Sequence, residues 1–219
     1  MALPSIPPYI VPIETDYPTN RVAWRPHPAR AVLLIHDMQR YFVDAFESKA
    51  EPLTSVLANI QLLREQAETA GIPVVYSAQP PSQSPRDRRL LTDFWGPGLG
   101  DDGGDAIVSE LAPSGTDTVV TKWRYSAFVR TDLRERMSAW GRDQLIITGL
   151  YAHIGCLMTA ADAFMHDIQP FLVADAVADF SVDYHRQALT YAAERCAVVA
   201  PTRTVTHDLA QGAELSAVR

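Results

Sequence analysis

Asp37, Lys122 and Cys156 are the residues of this 219-residue chain best suited to chemistry, because each follows or closes an apolar run. Asp37 stands just past AVLLI (31–35), in the segment His36-Asp37-Met38-Gln39. Lys122 closes the run 118–122. Cys156 lies in the stretch 142–164, where 144–148 reads as a buried strand broken by Gly149. A turn through Leu150–Ile154 then leads to a helix starting near Gly155 and Cys156. Such a turn presents backbone N–H groups at the positive end of a helix. A cysteine there can be a nucleophile of lowered pKa, so cysteine hydrolysis is the first chemistry to weigh. Acid, amine and turn together suit hydrolysis or a lyase-like step. Each residue also has a plain reading. An Asp after a strand is often a loop cap, a Lys there is usually solvated, and a lone Cys is more often a small core residue.

Other chemistries find no motif. The six histidines (27, 36, 153, 166, 185 and 207) show neither HxH nor HExxH spacing, so no metal is expected. GxGxxG, GxxxxGK[ST] and GxSxG are all missing from the sequence, and no cofactor is expected. A net charge of −7 and a pI near 5.3 argue against nucleic-acid binding. A small anionic substrate stays compatible with that charge, since a few cations in a cleft decide its binding. The hydrophobic share of 47 % suits one globular domain, and no apolar run approaches the roughly 20 residues of a membrane helix. The first residues lack a basic segment followed by an apolar one. With only Cys156 and Cys196, reduced thiols and a cytoplasmic location are expected.

The elements that must position these residues alternate. Residues 1–30, rich in proline, read as an extended arm wrapping the domain or a partner subunit, with Trp24 as a packing anchor. Strands are expected at 31–35, 73–77, 118–122, 144–148, 171–174 and 197–200. A helix over 52–70 carries Leu53, Val56, Leu57, Ile60, Leu63 and Ala67 on one face and stops at Gly71 and Pro73. Further helices are expected at 106–111, 131–140 and 183–195, the last capped by Ser181 or Asp183. Residues 80–104 form a long loop containing DFWGPG, and the tail from Pro201 is weakly patterned. The fold class is α/β with a mostly parallel six-stranded sheet flanked by helices. Asp37, Gln79, Lys122, the 149–156 turn and Asp175 would then share the sheet's C-terminal edge.

The segments LLIHDMQRYF, YSAQP, DFWGPG, TKWRYSAF, GLYAHIGC and FLVADAVADFS, in that order, resemble the isochorismatases of the isochorismatase-like hydrolase superfamily. The resemblance spans nearly the whole chain. It implies a doubly wound, Rossmann-like domain over 31–219. That superfamily uses an Asp–Lys–Cys triad, and the resemblance places its acid on Asp37 and its amine on Lys122. The nucleophile's place falls on Gly155, with Cys156 one residue late and turned by about 100° toward packing. The implied reaction is hydrolysis of an enolpyruvyl (vinyl) ether with release of pyruvate. Asp37 delivers the proton, water captures the cation, and no covalent intermediate forms. The small Gly155 would leave room for substrate or water.

Gln79, Arg88, Trp95, Tyr125 and Tyr151 resemble substrate-pocket residues of this branch, with Phe42 as a further apolar wall. Arg88 would clamp a carboxylate, although Arg86 and Arg89 stand beside it. Substrate details lean toward 2-amino-2-deoxyisochorismate of phenazine-type pathways, with isochorismate of siderophore pathways as the alternative. A cysteine amidase using Cys156 and a non-catalytic scaffold are the other readings. The resemblance further implies a homodimer, and the chain contains no carrier-domain phosphopantetheine serine motif.

Overall fold

The computed structural model describes residues 3–217. Six strands form one all-parallel sheet: β1 (Ala31–His36), β2 (Val74–Ala78), β3 (Thr118–Thr121), β4 (Gln144–Leu150), β5 (Gln169–Ala178) and β6 (Val198–Ala200). Their order is β3-β2-β1-β4-β5-β6. The chain builds outward from β1 to β3, returns to the centre, and builds outward again from β4 to β6. The connections therefore reverse between β1 and β4, and an open α/β sheet has its crevice beyond the strand ends at that switch point. Asp37 follows one of these strands and the Tyr151–Gly155 turn follows the other.

β1 is continuous and apolar because it is covered on both faces. Leu33 and Ile35 enter one core with α2 (Leu53–Thr69) and α8 (Thr202–Ala217). Val32 and Leu34 enter the other with α5 (Leu133–Ala139), α6 (Leu157–Met165) and α7 (Val182–Arg195). The expected apolar face of α2 is the buried one, and Gly71 at φ +64 supplies the left-handed stop. Ser181 caps α7 by accepting from Tyr184 N.

The arm wraps its own domain. Asn20 pairs with both backbone groups of Val199 at 2.8 Å, Ile6 is buried beside Phe46, and Trp24 packs on the first core. Among the described residues no helix is long and apolar enough to cross a membrane.

Several elements differ from the sequence pattern, each for a local reason. The segment 106–111 is no α-helix: only Ser109–Leu111 forms a 3-10 turn, because Val108 N bonds Met38 O and Ile107 bridges Gln39. The tail from Pro201 forms α8, whose main apolar anchors, Val205 and Leu209, give too narrow a stripe to read. β5 does not stop at Ala174. Asp175 lies within the strand, and one of its carboxylate oxygens accepts from Thr202 N and Oγ1, both at 2.7 Å, at the start of α8. Asp175 is thus outside the cleft. The loop 80–104 holds two short helices, α3 (Pro85–Arg88) and α4 (Leu91–Trp95), and Arg40–Val43 forms the short α1.

Candidate active site

Asp37 leaves β1 at φ +50, a left-handed conformation that costs roughly 1–2 kcal/mol and that Asp tolerates better than most residues. The turn brings consecutive side chains, His36 and Asp37, to the same cavity instead of opposite faces of the sheet. The Asp37 carboxylate is then fixed from three sides. Ser77 Oγ donates to Oδ1 at 2.6 Å, Lys122 Nζ lies 2.9 Å from Oδ2, and Gln79 Nε2 donates weakly at 3.4 Å. Asp37 is 4 % exposed and Lys122 2 %. Burial pushes the Asp37 carboxyl up, but Lys122, His36 and the Ser77 hydrogen bond outweigh burial and hold it below the usual carboxylate range. In the free site Asp37 is therefore ionised, a balance that the sequence leaves open.

The nine residues to which the resemblance gives a role line one cavity: Asp37, Phe42, Gln79, Arg88, Trp95, Lys122, Tyr125, Tyr151 and Gly155. Arg88 separates cleanly from its neighbours, for Arg86 and Arg89 are exposed while Arg88 is buried. Its Nε donates to Gly96 O at 2.5 Å, and its buried Nη1 has no partner. A Cβ at Gly98 would overlap the guanidinium, so the DFWGPG loop needs glycine there to seat Arg88. A buried guanidinium with an unpaired donor facing a cavity is suited to an anion. Trp95 Nε1 donates to Tyr125 Oη at 2.7 Å, which closes one wall. Tyr151 contributes its ring only, since its hydroxyl donates to Phe42 O at 2.9 Å and burial raises its pKa.

Other side chains that line or brace the cavity escape sequence reasoning. Gln39 clamps Gln79 through both backbone groups, at 2.8 Å each, and so aims the Gln79 side chain. Arg124, two residues past Lys122, adds a third cationic side chain to the cavity wall, beside Lys122 and Arg88, a position its sequence neighbourhood could have suggested. Phe180 packs 4.4 Å from the Tyr151 ring, centroid to centroid, and was hidden by the unexpected length of β5. Asp179 accepts from His153 N and Nδ1, both at 2.6 Å, and so anchors the turn after β4. The peptide bond Leu150–Tyr151 at that turn is cis.

Residues 31–204 match the isochorismatase domain family. The chain belongs to the isochorismatase family. It is 60 % identical over 210 residues to an isochorismatase of Bacillus subtilis, covering 95 % of this chain and 67 % of that protein. It is 50 % identical over 204 residues to the phenazine biosynthesis protein PhzD of Pseudomonas fluorescens, covering 93 % and 98 %. Enterobactin synthase component B of Escherichia coli is 51 % identical over 203 residues, covering 92 % and 71 %. Among solved structures, a cysteine hydrolase from Pseudomonas syringae has the same fold, with a TM-score of 0.79 and 24 % identity over 89 % of this chain and 98 % of that one.

Within this isochorismatase-family site, the turn after β4 refines one expectation and corrects another. A single π-helical turn, Ala152–Cys156, precedes α6, so the helix proper begins after Gly155 and Cys156. The space over Gly155 is also not open to substrate or water. The His36 ring fills it, and a Cβ at 155 would lie 2.9 Å from both ring nitrogens. Burial lowers the His36 pKa to about 4, so its imidazole is neutral at neutral pH. Cys156 points into the second core with no exposed surface, and burial raises its thiol well above the ordinary value. A protonated, enclosed thiol is no nucleophile. Cys156→Ala is expected to keep wild-type turnover in a steady-state assay; a large loss would restore the cysteine reading.

Proposed function

We propose that this protein hydrolyses the enolpyruvyl ether of isochorismate or of 2-amino-2-deoxyisochorismate, releasing pyruvate and a dihydro-hydroxybenzoate-type product. The observation that carries this reading is the buried Asp37–Lys122 pair, 2.9 Å apart, in a cavity that also holds an unpaired arginine donor. Such a site offers a proton and binds carboxylates, but supplies no thiol.

The substrate's carboxylates interact with Lys122, Arg88 and Arg124. Their negative charge, together with exclusion of water, raises the Asp37 pKa, and Asp37 takes up a proton as the complex forms. Asp37 then gives that proton to the methylene carbon, the C=C pair forms the new C–H bond, and an oxocarbenium ion results. Water adds to the cationic carbon and returns a proton to the Asp37 carboxylate. The hemiketal collapses to pyruvate and the ring alcohol. Trp95, Tyr151, Phe42 and Phe180 keep bulk water away from the cation. The same proposal includes a homodimer, which rests on the family resemblance, and a cytoplasmic location, which rests on the two cysteines read as reduced thiols.

Arg88→Met is expected to raise KM about 10²-fold or more with a smaller effect on kcat, as for loss of a desolvated carboxylate clamp. An unchanged KM would remove Arg88 from substrate binding. Pyruvate release, followed by coupling to lactate dehydrogenase, tests the whole reading with both substrates. Release from at least one is expected; none from either would favour a non-catalytic scaffold.

A further inference from the structure

His36 has no exposed surface and lines the cavity, yet the reaction above gives it no task. Its ring lies between two backbone carbonyls. Nδ1 is 2.7 Å from Leu150 O, and Nε2 is 3.3 Å from Tyr125 O. Leu150 ends β4 just before the turn with Tyr151 and Gly155, and Tyr125 lies on the loop after Lys122. Nδ1 is also 3.8 Å from Asp37 Oδ1. One imidazole therefore lies against backbone from the ends of β1 and β4 and from the loop after β3.

Two glycines of the GLYAHIG segment are fitted to the same residue. A Cβ at Gly149, which sits at φ +103, would lie 2.8 Å from His36 N and 2.9 Å from its carbonyl carbon. A Cβ at Gly155 would overlap the ring itself, 2.9 Å from each nitrogen. Close-packed interiors do not absorb such overlaps without moving one partner. The ring cannot move freely, because Nδ1–H donates to Leu150 O and the Tyr125 backbone packs against its other edge.

We propose that His36 is a positioning residue for Asp37 and the specificity partner of Gly155: the imidazole occupies the place of a side chain at 155, and so commits the site to acid chemistry without a nucleophile there. The inference rests on the proposed hydrolysis. A side chain at 155 and the imidazole exclude each other, so a thiol could stand at 155 only in a chain whose residue 36 is smaller. By donating to Leu150 O, the ring fixes Asp37 relative to the Tyr151 wall.

A double-mutant cycle tests this, with kcat, KM and thermal unfolding measured for Gly155→Ala, His36→Ala and the double variant. With His36 present, Gly155→Ala is expected to lower kcat about 10²-fold, the cost of displacing a reacting group by about 1 Å. With His36→Ala, the same change is expected to cost less than about threefold, because the methyl then has room. His36→Ala alone should lower kcat about tenfold or more with KM nearly unchanged, and His36→Asn, which keeps a donor for Leu150 O, should recover part of the loss. Equal penalties for Gly155→Ala in both backgrounds would overturn the proposal, as would a His36→Ala effect on KM alone. Misfolding of Gly155→Ala only in the presence of His36 would support it, and misfolding of both would overturn it. If the unmodified protein released no pyruvate, the proposed hydrolysis would fail, while the unfolding arm of the cycle would still report whether residues 36 and 155 share one space.

Discussion

With Asp37 replaced by Ala, turnover is expected to fall by about 10³-fold or more while substrate binding persists, since the proposed proton donor is lost and the proposed carboxylate clamp is kept. The physical reason is geometric. Ser77, Lys122 and Gln79 aim one carboxyl group into the cavity, and among the described residues no other acid lines it. Binding is measured separately from turnover by calorimetry with the unreacted substrate. The variant also leaves Lys122 buried without its partner, at a cost of about 3–5 kcal/mol, so its melting temperature is read beside its rate. Asp37→Asn keeps a polar group toward Ser77 and gives the same chemical loss with less unfolding. A folded variant turning over at near-normal rate would end the proton-donor role. The pH profile has a definite sign too. Free Asp37 is held ionised, so kcat/KM falls about tenfold per pH unit above the free carboxyl's pKa, while kcat, which reports the complex, holds to higher pH.

The second large effect is on stability, through Lys122→Met. In the unmodified protein the Asp37 pKa lies below its unfolded value of about 3.9. The pair therefore stabilises the fold fully above that value, and the stabilisation is lost as pH falls through the lowered folded pKa. In Lys122→Met the same carboxyl stays buried without its main cationic partner, and its pKa rises. The fold is then weakened by about 3–5 kcal/mol near pH 7, and the deficit shrinks as acid protonates Asp37. Urea unfolding of both proteins at neutral and at acid pH measures that difference. A deficit that does not change with pH would mean that Lys122 acts by packing alone.

The sheet and most of the site were legible because parallel strands carry unmistakable patterns. AVLLI reads as a strand covered on both faces, and the residues just past such strands gather on one edge. The amphipathic face of α2 is equally plain. The illegible features depend on single backbone angles or on close fits between distant segments. A strand's alternation sends His36 and Asp37 to opposite faces, and only the left-handed turn at Asp37 brings both into the cavity. Nothing local distinguishes Arg88 from Arg86 or Arg89; the selection is made by Gly96 and Gly98 folding over one guanidinium. Gly155 could be read as empty space because the residue that fills it lies more than a hundred positions earlier. Asp175 misled because β5 runs past it, held by β4 to Ala178.

The central claim is that Asp37 changes from carboxylate to carboxylic acid when the two carboxylates of the substrate bind, and then protonates carbon. Proton uptake on binding tests it most directly. The probe is the lactyl ether analogue of isochorismate, which keeps both carboxylates and has no vinyl group to protonate. Titration calorimetry near pH 7 in buffers of different ionisation enthalpy counts the protons. The account predicts uptake approaching one proton per site, abolished in Asp37→Asn. Tight binding with no proton uptake, or the same uptake in Asp37→Asn, would contradict it.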